Sequence, residues 1–304
     1  MKRACYSVGA VCLLLTAWSA TPAMGYGEPS VNLGFTSFLD GAPPAGPGFY
    51  FAEYLEYYTA DKLADLPVPN PDIDVWVSLN QFIYQSNQKL LFGGKWGLDV
   101  IVPVVSLDSS PLPDNGTGLG DILVGPFLQW DPIMGKNGPV FMHRIELQTI
   151  WPTGKYDNEK ALNPGSNFFS FDPYWAGTFV ITPKWTASWR AHYLWNAEND
   201  DPAVPGADET KAGDAIHVNF ASSYEVLPKK LRVGVNGYYL KQLSDSEVDG
   251  VEVPGKEQVF AIGPGALWSF SQHTHLFFNA YFETSVENRP EGDAFILRLV
   301  HHFH

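Results

Sequence analysis

From Trp185 to Trp195 every second residue is apolar: Trp185, Ala187, Trp189, Ala191, Tyr193 and Trp195. Four of the five between them, Thr186, Ser188, Arg190 and His192, are polar, and the fifth is Leu194. A period of two gives a β-strand with one oily and one wet face. A strand of this length, tilted by about 45°, crosses the hydrocarbon core of a bilayer.

The pattern recurs along the chain. Phe92, Gly94, Trp96, Leu98, Val100, Val102 and Val104 alternate with Gly93, Lys95, Gly97 and Asp99 before the second face also turns apolar. Ile216, Val218, Phe220, Tyr224 and Val226 share one face, with Ala215, His217, Asn219 and Glu225 on the other. Leu276, Phe278, Ala280, Phe282 and Val286 oppose Asn279, Tyr281 and Glu283. Strands of soluble sandwiches average roughly five or six residues, and these runs are about twice that. The predicted fold is all-β, an antiparallel transmembrane β-barrel of about twelve strands.

Candidate strands lie near 48–60, 73–86, 89–105, 119–131, 139–152, 167–182, 184–197, 213–227, 230–243, 257–270, 274–287 and 292–303. The connections alternate in length. Ser106 to Gly118, Thr153 to Ser166, Glu198 to Ala212 and Ser244 to Lys256 are long and polar. Asn87 with Gln88, Pro183, Pro228 with Lys229, and Ser271 to His273 are short, with Asp131 to Gly138 an exception. Long loops on one rim and tight turns on the other are the outer-membrane arrangement, with the tight turns periplasmic. No linker divides the chain after about Gly48, so residues 48–304 form one barrel.

The chain begins as an exported protein does. Lys2 and Arg3 precede an apolar run from Ala4 to Trp18, then Ala20, Thr21, Pro22 and Ala23, a secretory signal layout over residues 1–25 with cleavage after Ala23 or Gly25. Residues 26–47 form an N-terminal arm with an apolar stretch (Val31 to Phe38) and a Pro/Gly-rich one (Gly41 to Gly48). It either tucks into the barrel as a plug or hangs into the periplasm. At the other end Phe303 is preceded at two-residue steps by His301, Leu299, Leu297 and Phe295, which resembles the C-terminal signal read by the barrel-assembly machinery, except that His304 follows.

Both cysteines, Cys5 and Cys12, fall in the leader, and Val11 before Cys12 argues against lipid attachment there. Thiol and disulfide chemistry is therefore excluded from the mature chain. Loss of Lys2 and Arg3 takes the formal charge from −14 to −16. So acidic a protein is a poor partner for nucleic acid.

Candidate chemistry lies on the polar face. A Lys or Arg facing lipid at mid-membrane costs about 2–4 kcal/mol, so the polar positions point inward. The lumen-lining candidates are Arg144, Glu146, Gln148, Ser188, Arg190, His192, His217, Asn219, Tyr238, Asn279, Tyr281 and Glu283, and Tyr174 and Phe277 share that wall. Either they contact a solute, or they pair as struts, with Arg144 or Arg190 held by Glu146 or Glu283. Barrels of about eight strands are filled by side chains, and those of roughly 16 to 18 hold a water channel; twelve strands leave a narrow lumen. Aromatic and hydrogen-bonding groups in a narrow passage suit a small hydrophobic or aromatic solute.

Other motifs carry less. Glu198, Asn199, Asp200 and Asp201 lack the spacing and glycine of a calcium loop and read as a solvated loop, although divalent ions there could bridge to lipopolysaccharide. His302 and His304 share a strand face and supply at most two ligands, fewer than a closed zinc site takes. With His273, His275 and His301 they read as interfacial, and no metal, cofactor or catalytic residue is assigned. An outer-membrane lipid hydrolase needs serine and histidine on the lipid side, whereas Ser188 and His192 share the wet face. Asn115 to Asp121 has glycines at alternate positions and no following helix, unlike a dinucleotide fingerprint. Gly154, Gly263, Pro264 and Gly265 read as architectural.

Six segments carry a family resemblance: Gly118-Leu119-Gly120-Asp121-Ile122 with Gly125-Pro126, Pro152-Thr153-Gly154-Lys155-Tyr156-Asp157, Tyr193-Leu194-Trp195-Asn196-Ala197-Glu198-Asn199, Gly237-Tyr238-Tyr239-Leu240-Lys241-Gln242, Gly263-Pro264-Gly265 and Val286-Glu287-Asn288-Arg289-Pro290-Glu291-Gly292. Over about Gly46 to Phe303 the chain resembles the transporter family of meta-pathway phenol-degradation proteins, which includes the SphA-type outer-membrane proteins. The resemblance implies an outer-membrane β-barrel, embedded among lipid and lipopolysaccharide, linked to uptake of aromatic or other hydrophobic compounds. The expected function is a passive channel for such solutes. A non-conducting structural or surface-binding barrel is the alternative, and a lipid hydrolase the third reading.

Overall fold

The structure is a computed structural model and describes residues 27–43, 46–136 and 138–303. The signal-peptide expectation for residues 1–25 falls outside them, as does His304. Twelve antiparallel strands close on themselves: β1 (Gly48–Leu63), β2 (Asp72–Lys89), β3 (Lys95–Ser110), β4 (Thr117–Leu119 and Ile122–Gln129), β5 (Gly138–Glu146 and Thr149–Trp151), β6 (Ser170–Phe171 and Tyr174–Thr182), β7 (Trp185–Asn196), β8 (Ala215–Leu227), β9 (Leu231–Gln242), β10 (Gln258–Ser269), β11 (Thr274–Glu287) and β12 (Pro290–Phe303). Each pairs with its neighbours in sequence, and β12 returns to β1 with Phe49 opposite Phe303 and Leu63 opposite Pro290. Closure leaves no edge strand, which is the condition for a sheet to sit in lipid, where no water satisfies free backbone groups.

The alternation read from the sequence sorts side chains between the two faces. In β7, Thr186, Ser188, Arg190, His192, Leu194 and Asn196 are all buried toward the lumen, while Trp185, Tyr193 and Trp195 lie exposed on the outer wall. Trp76, Phe82, Leu98, Trp175, Phe179, Trp268, Phe278, Phe282, Leu297 and Leu299 extend that apolar exterior around the barrel. So much exposed apolar surface is an error in water and a requirement in lipid.

The rims differ from expectation in four places. The turn assigned to Asn87 and Gln88 lies at residues 90–94: β2 runs on to Lys89, and the chain reverses through a short 3-10 turn, Leu91–Gly93, with Phe92 and Gly93 at positive φ. Asn87 and Gln88 carry polar side chains but no such backbone reversal, so the outward alternation starts at Trp96 and Phe92 is a rim residue. Half of the expected loop Ser106 to Gly118 is strand, because Ser106 pairs with Thr117 and β3 continues to Ser110. Val286 does not share the lipid face of Phe282: Ser285 adopts φ 53°, the register slips opposite Gln258 and Phe260, and Val286 packs against the interior cluster around Val259. The β11–β12 connection, on the long-loop rim, is only Asn288 and Arg289.

The long loops also build a four-stranded sheet of their own from Glu198–Asn199, Thr210–Lys211, Ser246–Val248 and Val251–Val253. Asn199, read as part of a solvated acidic loop, is buried there: its amide donates to Tyr156 at 3.2 Å and its carbonyl accepts from Asn167 at 2.8 Å.

Leu297, at the middle of β12 and 44% exposed, tests the outer wall. Leu297→Arg is expected to destabilise the folded barrel by about 2–4 kcal/mol in urea titrations from phospholipid vesicles. A variant as stable as the parent would remove this face from the lipid.

Candidate functional site

Residues 27–43 thread the lumen from the turn rim to the loop rim, held by the inward faces of the strands. Near the turn rim the Gly41 amide donates to Thr178 at 3.0 Å and the Leu39 amide to Ser188 at 3.1 Å. Between them Asp40 takes two hydrogen bonds from Arg190, at 2.7 and 2.8 Å. At mid-height the Gly34 amide donates to Asn219 and the Gly34 carbonyl accepts from Tyr281, both at 2.7 Å. At the loop rim Asn196 donates to Glu28 at 3.0 Å and the Gly27 amide to Glu257 at 3.0 Å. Phe38 packs with Ala221, Leu267 and Phe277. Gly265 makes room for it, since a Cβ there would come within 2.9 Å of the Phe38 ring. Nearly all the polar anchors belong to the arc from β6 to β11.

A second set of polar groups ties the opposite strands together below the open part of the lumen. Tyr54 donates to Gln81 at 2.8 Å and Gln81 to Asp99 at 2.6 Å. Arg144 lies 3.8 Å from Asp99, donates to Glu146 at 2.8 Å and to Tyr174 at 2.7 Å, and sits 4.3 Å from the Phe127 ring centre. Tyr174 in turn donates to Glu146 at 2.6 Å, and Arg190 lies over its ring at 4.0 Å. Buried charges persist when paired and hydrogen-bonded, and in this belt across β1, β2, β3, β5 and β6 each carboxylate has one oxygen so engaged, while Asp99 Oδ1 and Glu146 Oε1 have no hydrogen-bond partner among the described residues. Gly125 of β4 is needed where the belt crosses it, because a Cβ there would stand 2.2 Å from Glu146 Oε1.

Next to the belt, Asp172 accepts from His192 Nδ1 at 3.0 Å and from His217 Nε2 at 2.9 Å. The three donor atoms lie close enough to suggest a metal. The two imidazoles, however, are stacked with centroids 3.9 Å apart and planes 19° from parallel. A metal bonds an imidazole along the in-plane nitrogen lone pair, and one ion cannot occupy both planes of a stacked pair. The cluster is a hydrogen-bonded clamp between β7 and β8.

What the arm leaves uncovered is apolar. Between the arm and strands β2 to β4 is a chamber of about 360 Å³, roofed by the loops around Tyr156 to Phe168 and Asn199 to Thr210. Val75, Val77 and Leu79 of β2 and Ile101, Pro103 and Val105 of β3 form its wall, and Val31, Leu33 and Phe35 of the arm face them. Polar groups reach it from the other side, notably Glu56, Tyr58, Gln148 and Glu283.

The twelve candidates therefore separate. Gln148, Arg190, Tyr238 and Glu283 line the chamber. Arg144 and Glu146 belong to the belt, His192 and His217 to the clamp, and Ser188, Asn219 and Tyr281 to the arm contacts. Asn279 is buried next to Gly265. Of the expected struts, Arg144–Glu146 forms; Arg190 instead pairs with Asp40, and Glu283 accepts from Tyr58 at 2.9 Å and Tyr238 at 2.7 Å. Ser188 and His192 bond to Thr178 and Asp172 rather than to each other, so they do not make a nucleophile and its base. His302 stacks on Tyr50, with His273 3.3 Å away. The apolar chamber residues escaped a search directed at polar groups. Their signal is clearest in β3, where Ile101 to Val105 is apolar on both strand faces, when only one can face lipid.

A closed antiparallel barrel of twelve strands with an apolar exterior and a polar, arm-filled lumen has the fold of an outer-membrane β-barrel. The model of the family described as "Putative MetA-pathway of phenol degradation" matches residues 59–299, and the chain belongs to that family. An outer membrane channel from Pseudomonas putida F1 has the same fold, with a TM-score of 0.75 at 18% identity over 90% of this chain and 100% of that one. The β domain of the Bordetella autotransporter BrkA aligns with a TM-score of 0.48 at 12% identity over 85% of this chain and 100% of that one. No curated protein matches the sequence.

Residues 26–304 contain no cysteine, so a single Ser37→Cys change, at a position 3% exposed, reports on the arm. The thiol is expected to resist a water-soluble maleimide, and adding Asp40→Ala, which leaves Arg190 buried and unpaired, should speed labelling at least tenfold (about the effect of 1.4 kcal/mol). Equal rates would remove the Asp40–Arg190 pair as the arm's anchor.

Proposed function

We propose that the protein is an outer-membrane channel for passive uptake of small hydrophobic or aromatic compounds. The observation that carries this reading is the open apolar chamber inside a barrel whose other lumen surfaces are occupied by hydrogen-bonded polar groups and by apolar side chains packed with the arm. Burying an apolar wall in a lumen, rather than filling it with side chains, leaves a surface that an apolar solute covers favourably, at roughly 25 cal/mol per Å². The family description, which refers to phenol degradation, agrees with an aromatic solute.

In this reading the solute enters between the long loops, rests against β2 and β3, and passes beside or behind the arm, which acts as the plug. The concentration gradient drives it. The leader directs export, the C-terminal strand is read by the barrel-assembly machinery, and the apolar exterior and acidic loops meet lipid and, through divalent ions, lipopolysaccharide. No role is assigned to a cofactor, a metal or nucleic acid, and no catalytic step is involved.

Planar bilayers test the channel. The refolded protein is expected to show small discrete conductance steps that a small aromatic solute reduces, and deletion of residues 27–43 should enlarge the steps several-fold. Silence from both proteins would favour the non-conducting structural or binding barrel.

A further inference from the structure

The exposed charges of the barrel separate by rim. The long loops are acidic, with Asp200, Asp201, Asp208, Glu209, Asp249 and Glu252 among their side chains. The turn rim is basic, and on one sector its positive charge is unbalanced. Two turns there begin alike, Pro183-Lys184 between β6 and β7 and Pro228-Lys229-Lys230 between β8 and β9. Backbone contacts hold them side by side: the Lys184 carbonyl accepts from the Glu225 amide at 2.8 Å and from Arg232 at 3.1 Å, and these two residues flank the second turn. That turn is closed by the Lys230 amide on Leu227 at 3.0 Å and tied to β10 through the Lys230 carbonyl, which accepts from Ser269 at 2.8 Å.

All three lysines are exposed, and none forms an ion pair among the described residues. Glu225, the carboxylate between the two turns, lies 3.7 Å from Arg232. The other basic sector differs, because Lys89 and Lys95 both close on Asp131, at 3.0 and 2.6 Å. The outer wall next to the three lysines is apolar, with Ile181, Trp185, Tyr224, Val226 and Leu227 exposed, and Trp185 stands opposite Tyr224 in the strand register. Tryptophan and tyrosine on a lipid-facing wall mark the level of the headgroups. A lipid whose chains cover this wall therefore has its headgroup at the three ammonium groups.

We infer that this sector binds an anionic glycerophospholipid, with the acyl chains on the β6–β9 wall and the phosphate among Lys184, Lys229 and Lys230. This binding is independent of the solute that the lumen takes. Lysine stems lie along apolar surface while their heads reach the phosphate. A zwitterionic headgroup carries its own ammonium, which the three lysines repel; a headgroup of net negative charge has no such group. The chain as a whole is acidic, at −14, but charges farther off than a Debye length, about 8–10 Å, are largely screened. The local lysines set the preference, and the distant acidic loops do not cancel it.

The test is native mass spectrometry of the full barrel, released from detergent micelles that hold equal amounts of phosphatidylglycerol and phosphatidylethanolamine with the same acyl chains. The parent is expected to retain phosphatidylglycerol at least about tenfold more often, since each lysine near an anionic headgroup is worth up to about fivefold. Lys184→Gln, Lys229→Gln and Lys230→Gln together should bring the two lipids to near parity. Each change alone should lower the ratio about threefold, so the single variants carry the test if the triple one does not fold, as judged by heat-modifiable migration. Lys62→Gln, Lys241→Gln and Lys256→Gln together remove the same charge from the loop rim, where these lysines already pair with Glu291, Glu287 and Asp245, and should leave the ratio unchanged. Excess glycerol 3-phosphate should not displace the bound lipid, because it lacks the chains that cover the wall. Equal retention of both lipids by the parent, the same loss in both triple variants, or displacement by glycerol 3-phosphate would overturn the site.

Discussion

Everything in this molecule depends on the backbone hydrogen bonding of a closed sheet. In hydrocarbon each unpaired amide or carbonyl costs several kcal/mol, and a chain can cross only as a helix or as a barrel without edges. Pairing of β12 with β1 supplies the closure. Once the cylinder is shut, the two-residue period divides every strand between lipid and lumen, and one slip of register would exchange the two sets. The slip at Ser285, where Val286 turns inward, lies near the loop end of β11, where the exchange carries the least cost.

Closure at twelve strands creates a second problem, a lumen too wide for the wall's own side chains to fill. The molecule answers it unequally around the circumference. On the β6–β11 arc, Ser188, Arg190, Asn219 and Tyr281 receive the arm. On the β1–β6 side the Arg144 belt joins strands to one another at one level. Above that belt, β2 and β3 present valine, leucine, isoleucine and proline to a space that the chain does not fill. The polar groups thus do structural work, the inward apolar groups around Leu240, Val259 and Ile296 pack with the arm, and those of β2 and β3 face open space.

How much of this could be read from the sequence follows from the range of each interaction. Alternation is local, so the strands, the inward polar face and the aromatic inward positions Tyr174, Tyr238, Phe277 and Tyr281 were legible. Turn position was less so, since Asn87 and Gln88 resemble a turn and the reversal depends on backbone geometry at Phe92 and Gly93. The destination of the arm was open, because the pairing of Asp40 with Arg190 spans 150 residues and has no local signature. Arg190 and Glu283 lie inward, and their partners, Asp40, Tyr58 and Tyr238, come from the arm and from other strands. The doubly apolar stretch of β3 was visible in the sequence; its meaning depended on knowing that the rest of the lumen was already engaged.

The central claim is that a small aromatic molecule occupies the space between the arm and the β2–β3 wall. Crystals soaked in 4-bromobenzyl alcohol, with anomalous diffraction at the bromine edge, locate that molecule directly. The account predicts a bromine peak among Leu33, Leu79 and Pro103. Bromine found only along the outer, lipid-facing wall, with the chamber empty or filled by the chain itself, would contradict it.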